Sequence, residues 1–208
     1  MTEIELRRTV TDLAEYYAKS GAIYEWSAGL NKLISVYNDH LPLARNYKYV
    51  KEGGWCMLFV SALYIEAGLS DLIHTEVGPW EAMQADKKAG RFREPGYIPK
   101  PGDLVYYYYQ KKDDAGKVVD SWYHVGLCTN ADQSVVFTTE GNVSDRVLML
   151  AHDPADPTIV GFCAPDFASK IRPQIDGLTV PPIPDETGTY NLTANNNGEE
   201  KWLAWKKV

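Results

Sequence analysis

The chain has 208 residues, 45% of them hydrophobic, with a formal net charge of −7 and a pI near 5.1. That is apolar material enough for one packed domain with an appendage, and the acidic balance excludes nonspecific nucleic-acid binding. No apolar run approaches the roughly 20 residues that span a bilayer. Met1-Thr2-Glu3-Ile4-Glu5-Leu6 also lacks the basic start and apolar core of a secretory signal, so synthesis in the cytoplasm without a signal peptide is expected.

Residues 3–20 carry Leu6, Val10, Leu13 and Tyr17 at helical spacing, and Lys19-Ser20-Gly21 ends that helix. A second helix is predicted over 31–37, with Leu33, Ile34 and Tyr37 inward and Pro42 as a terminator beyond it. A loop over 43–55 then runs through Gly53-Gly54-Trp55 to Cys56. Phe59, Val60, Leu63 and Ala67 recur as one helix face, and Gly68 is a natural stop. Pro79 suits the first turn of a further helix over 79–88.

Pro99-Lys100-Pro101-Gly102-Asp103 is a turn that launches a strand over 104–109, and Asp113-Asp114-Ala115-Gly116-Lys117 is a polar loop. Strands are predicted at 122–129, 134–140, 145–151 and 158–163. Helices and then a run of antiparallel strands make an α+β domain over 1–165. The Pro-rich stretch 166–188 reads as an extended linker. Residues 189–208 read as an appendage, either a hairpin around Asn195-Asn196-Asn197-Gly198 or the start of a further module.

Cys56 draws attention by position. A thiol at a helix N-terminus faces the positive end of the peptide dipoles, which favours the thiolate. A nucleophilic cysteine also needs a base within hydrogen-bond reach and a third group to fix the base's tautomer. His124, in Trp122-Tyr123-His124-Val125-Gly126, is the candidate base. Thr139-Glu140-Gly141-Asn142 offers Glu140 and Asn142, which at i and i+2 of a strand face the same way, one as orienter and one as polar support. Each residue has a plainer reading: a lone cysteine in an apolar helix is usually core, and a lone histidine on a sheet is usually structural. His40, His74 and His152 take that default.

Cys128 and Cys163 sit in apolar strand contexts and read as buried small side chains. An odd, sparse set of three cysteines with no Cys-x-x-Cys spacing predicts neither a disulfide framework nor a structural zinc site. Trp55 and Trp122 flank the proposed catalytic residues and are predicted to line a substrate groove, with Gly54 leaving the thiol open to approach. Trp80 reads as a helix-face anchor. Tyr106-Tyr107-Tyr108-Tyr109 reads as alternating core and surface aromatics, with one or two at the groove as the sharper alternative.

Taken in order, Trp55-Cys56 with Phe59-Val60-Ser61-Ala62, Pro99-Lys100-Pro101-Gly102-Asp103-Leu104-Val105, His124-Val125-Gly126 and Glu140-Gly141-Asn142 resemble the CHAP domain. This is the cysteine- and histidine-dependent amidohydrolase/peptidase family. The likeness covers residues 5–166 and extends upstream through Tyr37-Asn38 and Pro42-Leu43-Ala44-Arg45. It is similar to the pattern of phage-type lysins of Gram-positive gut bacteria or their prophages.

The resemblance implies a papain-like fold, with N-terminal helices packed on a five- to six-stranded antiparallel sheet. It implies Cys56 as nucleophile, His124 as base and acid, Glu140 orienting His124, and Asn142 supporting it. The implied reaction is amide hydrolysis in peptidoglycan through a thioester, either between N-acetylmuramic acid and L-alanine or within the stem or cross-bridge. The protein would act on the cell wall after release, as a monomer, without cofactor. Several CHAP domains carry an Asp-x-Asp calcium loop before the cysteine. Here 46–52 has no such pair, so no metal is expected. Two other roles share these residues: a wall-remodelling peptidase of a secretion or conjugation apparatus, or an antibacterial effector. A wall-binding module with a degenerate site, in which Cys56 is unreactive, is the non-enzymatic alternative.

Overall fold

The structure is a computed structural model that describes residues 1–51, 53–171, 174–175, 178–181, 190–196 and 201–207. The chain forms two compact units, Ile4–Asp166 and Met1–Glu3 with Phe167–Val208. The larger unit is α+β, with four α-helices and a six-stranded antiparallel sheet.

Helix α1 spans Glu3–Ser20 and buries Leu6, Val10, Ala14 and Tyr17. Helix α2 spans Ala28–Asp39 and so begins earlier than its apolar spacing suggests. The Ser27 hydroxyl caps its first turn by accepting the Leu30 N–H at 3.0 Å. Helix α3, Cys56–Glu66, is the centre of the unit. Nine consecutive residues from Cys56 to Tyr64 are buried, so the predicted single apolar face is instead a helix covered all round. Its one polar member in that run, Ser61, donates to the Glu76 carbonyl at 2.7 Å and accepts the Glu76 N–H at 2.9 Å. Helix α4 is Pro79–Lys88, with Pro79 in its first turn.

The strands are β1 (Phe92–Arg93), β2 (Leu104–Lys112), β3 (Val118–Ala131), β4 (Val136–Val143), β5 (Arg146–His152) and β6 (Ile159–Cys163), in the spatial order β1-β6-β2-β3-β4-β5. β1 has two residues, too few to show a sequence pattern. β2 and β3 run beyond their predicted ends into a hairpin whose Asp113 carboxylate accepts the Ala115 and Lys117 N–H groups.

The Pro-Gly-Asp turn locks β2 in place. Asp103 is fully buried and accepts from Arg7 of α1 (2.9 Å), the Tyr97 hydroxyl (2.8 Å) and the Lys100 N–H (3.0 Å). Burial raises its proton affinity against those partners. The Tyr64 hydroxyl of α3 donates to the Gly102 carbonyl, which ties the central helix to the same turn. The four tyrosines do not alternate. Tyr106 and Tyr107 are both fully buried because both faces of β2 are covered there. Tyr106 donates to Asp86 of α4 at 2.7 Å, and Tyr107 to Glu140 of β4 at 3.1 Å.

In the smaller unit, β7 (Gln174–Ile175) pairs with β8 (Leu178–Thr179), and β9 (Tyr190–Asn196) pairs antiparallel with β10 (Lys201–Lys207). The predicted linker also holds a 3-10 turn at Phe167–Lys170. Its residues 172–173, 176–177 and 182–188, and the proposed turn at 197–198, lie outside the described residues. Among the described residues, no helix is long and apolar enough to cross a membrane.

Candidate active site

The approach to Cys56 is held by hydrogen bonds on both sides of the loop. The Asn38 side chain at the end of α2 clamps Tyr49, donating to its carbonyl (3.0 Å) and accepting its N–H (2.9 Å). Tyr49 in turn donates from its hydroxyl to the Gly53 carbonyl at 2.9 Å. Gly53 has φ of +96°, a conformation in which a side chain is strained, and Gly54 beside it is exposed. Further back, Arg45 is anchored on the buried carboxylate of Glu76 at 2.8 and 2.9 Å. The Gly-Gly approach is therefore a pinned turn.

Cys56 is the first residue of α3, and Trp55 at the N-cap makes no side-chain capping bond. The first intrahelical bond runs from the Phe59 N–H to the Trp55 carbonyl. The N–H groups of the helix start precede that bond, as those of any helix N-terminus do.

His124 lies on β3, opposite Tyr107 in the ladder. Its Nε2 is 2.8 Å from Glu140 Oε2. A carboxylate only accepts, so Nε2 carries the proton and Nδ1 is the nitrogen left for the thiol. His124 is pushed up to about 9: burial opposes its charge, and hydrogen bonding and charge interaction with Cys56 and Glu140 outweigh burial.

Glu140 lies on β4 and is 1% exposed. Burial disfavours its charge, but the donors from His124, His152 and Thr138 prevail and hold the carboxyl well below the usual range. Space for it is made by Gly126. A Cβ there would stand 2.7 Å from Glu140 Cγ and 2.9 Å from Oε1. Gly126→Ala is therefore expected to cost about 1–3 kcal/mol by overpacking, and to displace the carboxylate from His124. Thermal unfolding together with the His124 titration checks both effects.

The two remaining orienting groups differ from their sequence reading. The strand alternation that would set Asn142 beside Glu140 is interrupted between them. The ladder shifts between Glu140 and Val143, and Asn142 is left-handed at φ +63°. Its Nδ2 lies beside Gly54, 3.2 Å from where a Cβ on that glycine would be. Among the described residues it makes no hydrogen bond to His124. His152, assigned the structural default, instead reaches Glu140 Oε1 at 2.7 Å and the Thr138 hydroxyl at 3.2 Å. No sequence signal marks it, because its reach across β4 depends on the β4–β5 register.

Trp55, read from the sequence as a groove residue, is 1% exposed with its indole edge against Gly141, and it lines a small pocket with Trp26, Tyr49 and Lys51. Trp122 is 48% exposed and stacks on Tyr109 with ring centroids 5.6 Å apart, and Tyr109 lies 6.4 Å from the His124 ring. Trp80 of α4 packs on Tyr123 at 4.8 Å while remaining half exposed. Cys128 and Cys163 are fully buried, and burial raises the proton affinity of both thiols. Cys163 lies beside Asp86 and Arg91, a more polar setting than its strand context suggests.

Among the described residues, Cys56, His124, Glu140 and His152 make one connected cluster, with Gly54 and Asn142 beside one another in the approach. No family model, curated protein or solved structure matches this chain.

Proposed function

We propose that the chain is a cysteine amidohydrolase of papain-like, CHAP type that cleaves an amide bond in bacterial peptidoglycan. One observation carries the chemistry. A cysteine at the start of a buried helix faces a histidine whose far nitrogen is fixed by a buried carboxylate. That arrangement is what thiol-based acyl transfer requires. The choice of peptidoglycan rests on the ordered motifs around Cys56, His124 and Glu140 and their likeness to the CHAP family.

In this mechanism the Cys56 thiolate attacks the amide carbonyl carbon, and the negative charge moves to the carbonyl oxygen. The Cys56 N–H at the helix start donates to that oxygen. As the C–N bond breaks, the His124 imidazolium gives its Nδ1 proton to the leaving amine, and the acyl group remains as a thioester on Cys56. Neutral His124 then takes a proton from water. The resulting hydroxide equivalent attacks the thioester, the C–S bond breaks, and the thiolate–imidazolium pair returns. Asn142, with its amide at Gly54, stands on the substrate side of the thiol and is assigned to receiving the substrate.

The exposed Trp122 face, continuous through Tyr109 with His124, is assigned to the substrate groove. Trp122→Ala is expected to raise KM about 3–10-fold with kcat little changed, the value of one aromatic contact. Equal losses in kcat and kcat/KM would place Trp122 in the chemistry instead.

The proposed reaction is tested by acid-quenching the protein during turnover of a soluble stem-peptide muropeptide and measuring its intact mass. An acyl adduct on Cys56, absent from Cys56→Ala, is expected. Turnover without any adduct on a cysteine would count against a thioester route.

A further inference from the structure

We propose that His152 is a positioning residue for the Cys56–His124 pair: through Nε2 it anchors Oε1 of Glu140 and so keeps Oε2 of the same carboxylate directed at His124. The inference deepens the cysteine-hydrolase reading and rests on it.

The two carboxylate oxygens are used unequally. Among the described residues, Oε2 has one partner, His124, at 2.8 Å. Among those same residues Oε1 has three donors: the Thr138 hydroxyl at 2.6 Å, His152 Nε2 at 2.7 Å and the Tyr107 hydroxyl at 3.1 Å. The last torsion of a glutamate side chain is broad and nearly two-fold, so the His124 bond alone does not fix the carboxylate plane. The donors on Oε1 do.

Those three donors are not equivalent. Thr138 is two residues away on the same strand and moves with Glu140. Tyr107 makes the longest of the three bonds. His152 comes from β5, the next strand, and stands opposite Val136 in the ladder. It therefore ties the carboxylate to a separate piece of the sheet. Its side chain is 13% exposed, which leaves little room for water to replace it.

The hydrogen-bond logic fixes one proton. Glu140 is an ionised acceptor, so His152 Nε2 must carry a hydrogen, as His124 Nε2 must. The Tyr107 ring packs between the two imidazoles, 5.8 Å from His124 and 5.0 Å from His152. The titratable groups around the carboxylate are thus Tyr107 and Tyr109 from β2, His124 from β3 and His152 from β5, with Cys56 of α3 beyond His124.

The test reads His124 directly, without substrate, by imidazole NMR on the labelled full-length protein. Loss of wall hydrolysis as a function would leave this readout standing. His152→Phe keeps an aromatic ring and removes the donor. His124 is then expected to titrate lower by about one pH unit, because its hydrogen bond to the carboxylate is loosened. His152→Gln, which keeps an N–H donor, is expected to restore the wild-type titration.

An unchanged His124 titration in His152→Phe would mean that His152 only fills space, and would overturn the proposal. A raised titration would mean that His152 acts by charge and not as an anchor, and would overturn it equally. If His152→Phe does not fold, nitrogen-15 shifts of the wild-type protein still decide. A proton on His152 Nε2 is required, and a bare Nε2 refutes the anchor.

Discussion

Cys56→Ala is expected to lower the proposed wall hydrolysis by at least about 10⁴-fold, because the assigned nucleophile and base would act as a unit and neither would compensate for the other. The fold should survive, since the exchange removes one sulfur from the edge of a buried helix. No other thiol can take over. Cys128 and Cys163 are fully buried in strands, and burial works against ionisation of both. Iodoacetamide should accordingly label one thiol rapidly in the native wild-type protein and none in the variant. The variant should also lower the His124 titration, because Cys56 is one of the two groups that raise it. Turnover of a soluble muropeptide, alkylation mass and imidazole NMR check the three parts separately.

Glu140→Gln is expected to reduce turnover by roughly 10²–10⁴-fold through loss of the histidine's fixed tautomer and stabilised charge. It should also cost about 2–3 kcal/mol of stability, because a neutral amide replaces a buried acceptor of several donors. The pH dependence has a definite sign. Glu140 binds its proton more weakly folded than unfolded, so its contribution is present above its ordinary value of 4.5 and drains away as pH falls below it. His124 binds its proton more tightly folded, so its contribution is complete below 6.5 and is lost as pH rises through about 9. The wild-type advantage over Glu140→Gln should therefore be largest between pH 4.5 and 6.5 and shrink on both sides. Chemical denaturation of both proteins across pH 3–10, a range of about seven units spanning both groups, measures it. A difference independent of pH would mean that the carboxylate contributes only packing.

The helices are legible because their signals are local. Pro79 at a first turn and Gly68 after a last one mark ends that need no tertiary knowledge. Cys56, His124 and Glu140 are legible as a candidate site because the residue types and their order are restrictive, and the fold brings the three together. What escapes the sequence depends on register and burial. Asn142 sits where the β4–β5 ladder shifts, so the two-residue alternation that would aim it at His124 fails there. Ser27 caps α2 before the apolar spacing begins. Trp55 reads as a groove residue from its place beside Cys56, but a helix buried on all sides draws its flanking indole inward. His152 and Tyr107 cannot be read from the sequence as partners of Glu140, because both meet it only after separate strands align.

The most direct test of the proposed activity is incubation of the purified protein with Gram-positive peptidoglycan, and then mass analysis of the soluble fragments. The expected result is release by wild type and none by Cys56→Ala. Either sugar-free stem peptides, marking a cut at the muramoyl–alanine bond, or new amine termini within the peptide, marking an endopeptidase, would be produced. No release by the wild-type protein, or equal release by Cys56→Ala, would contradict it.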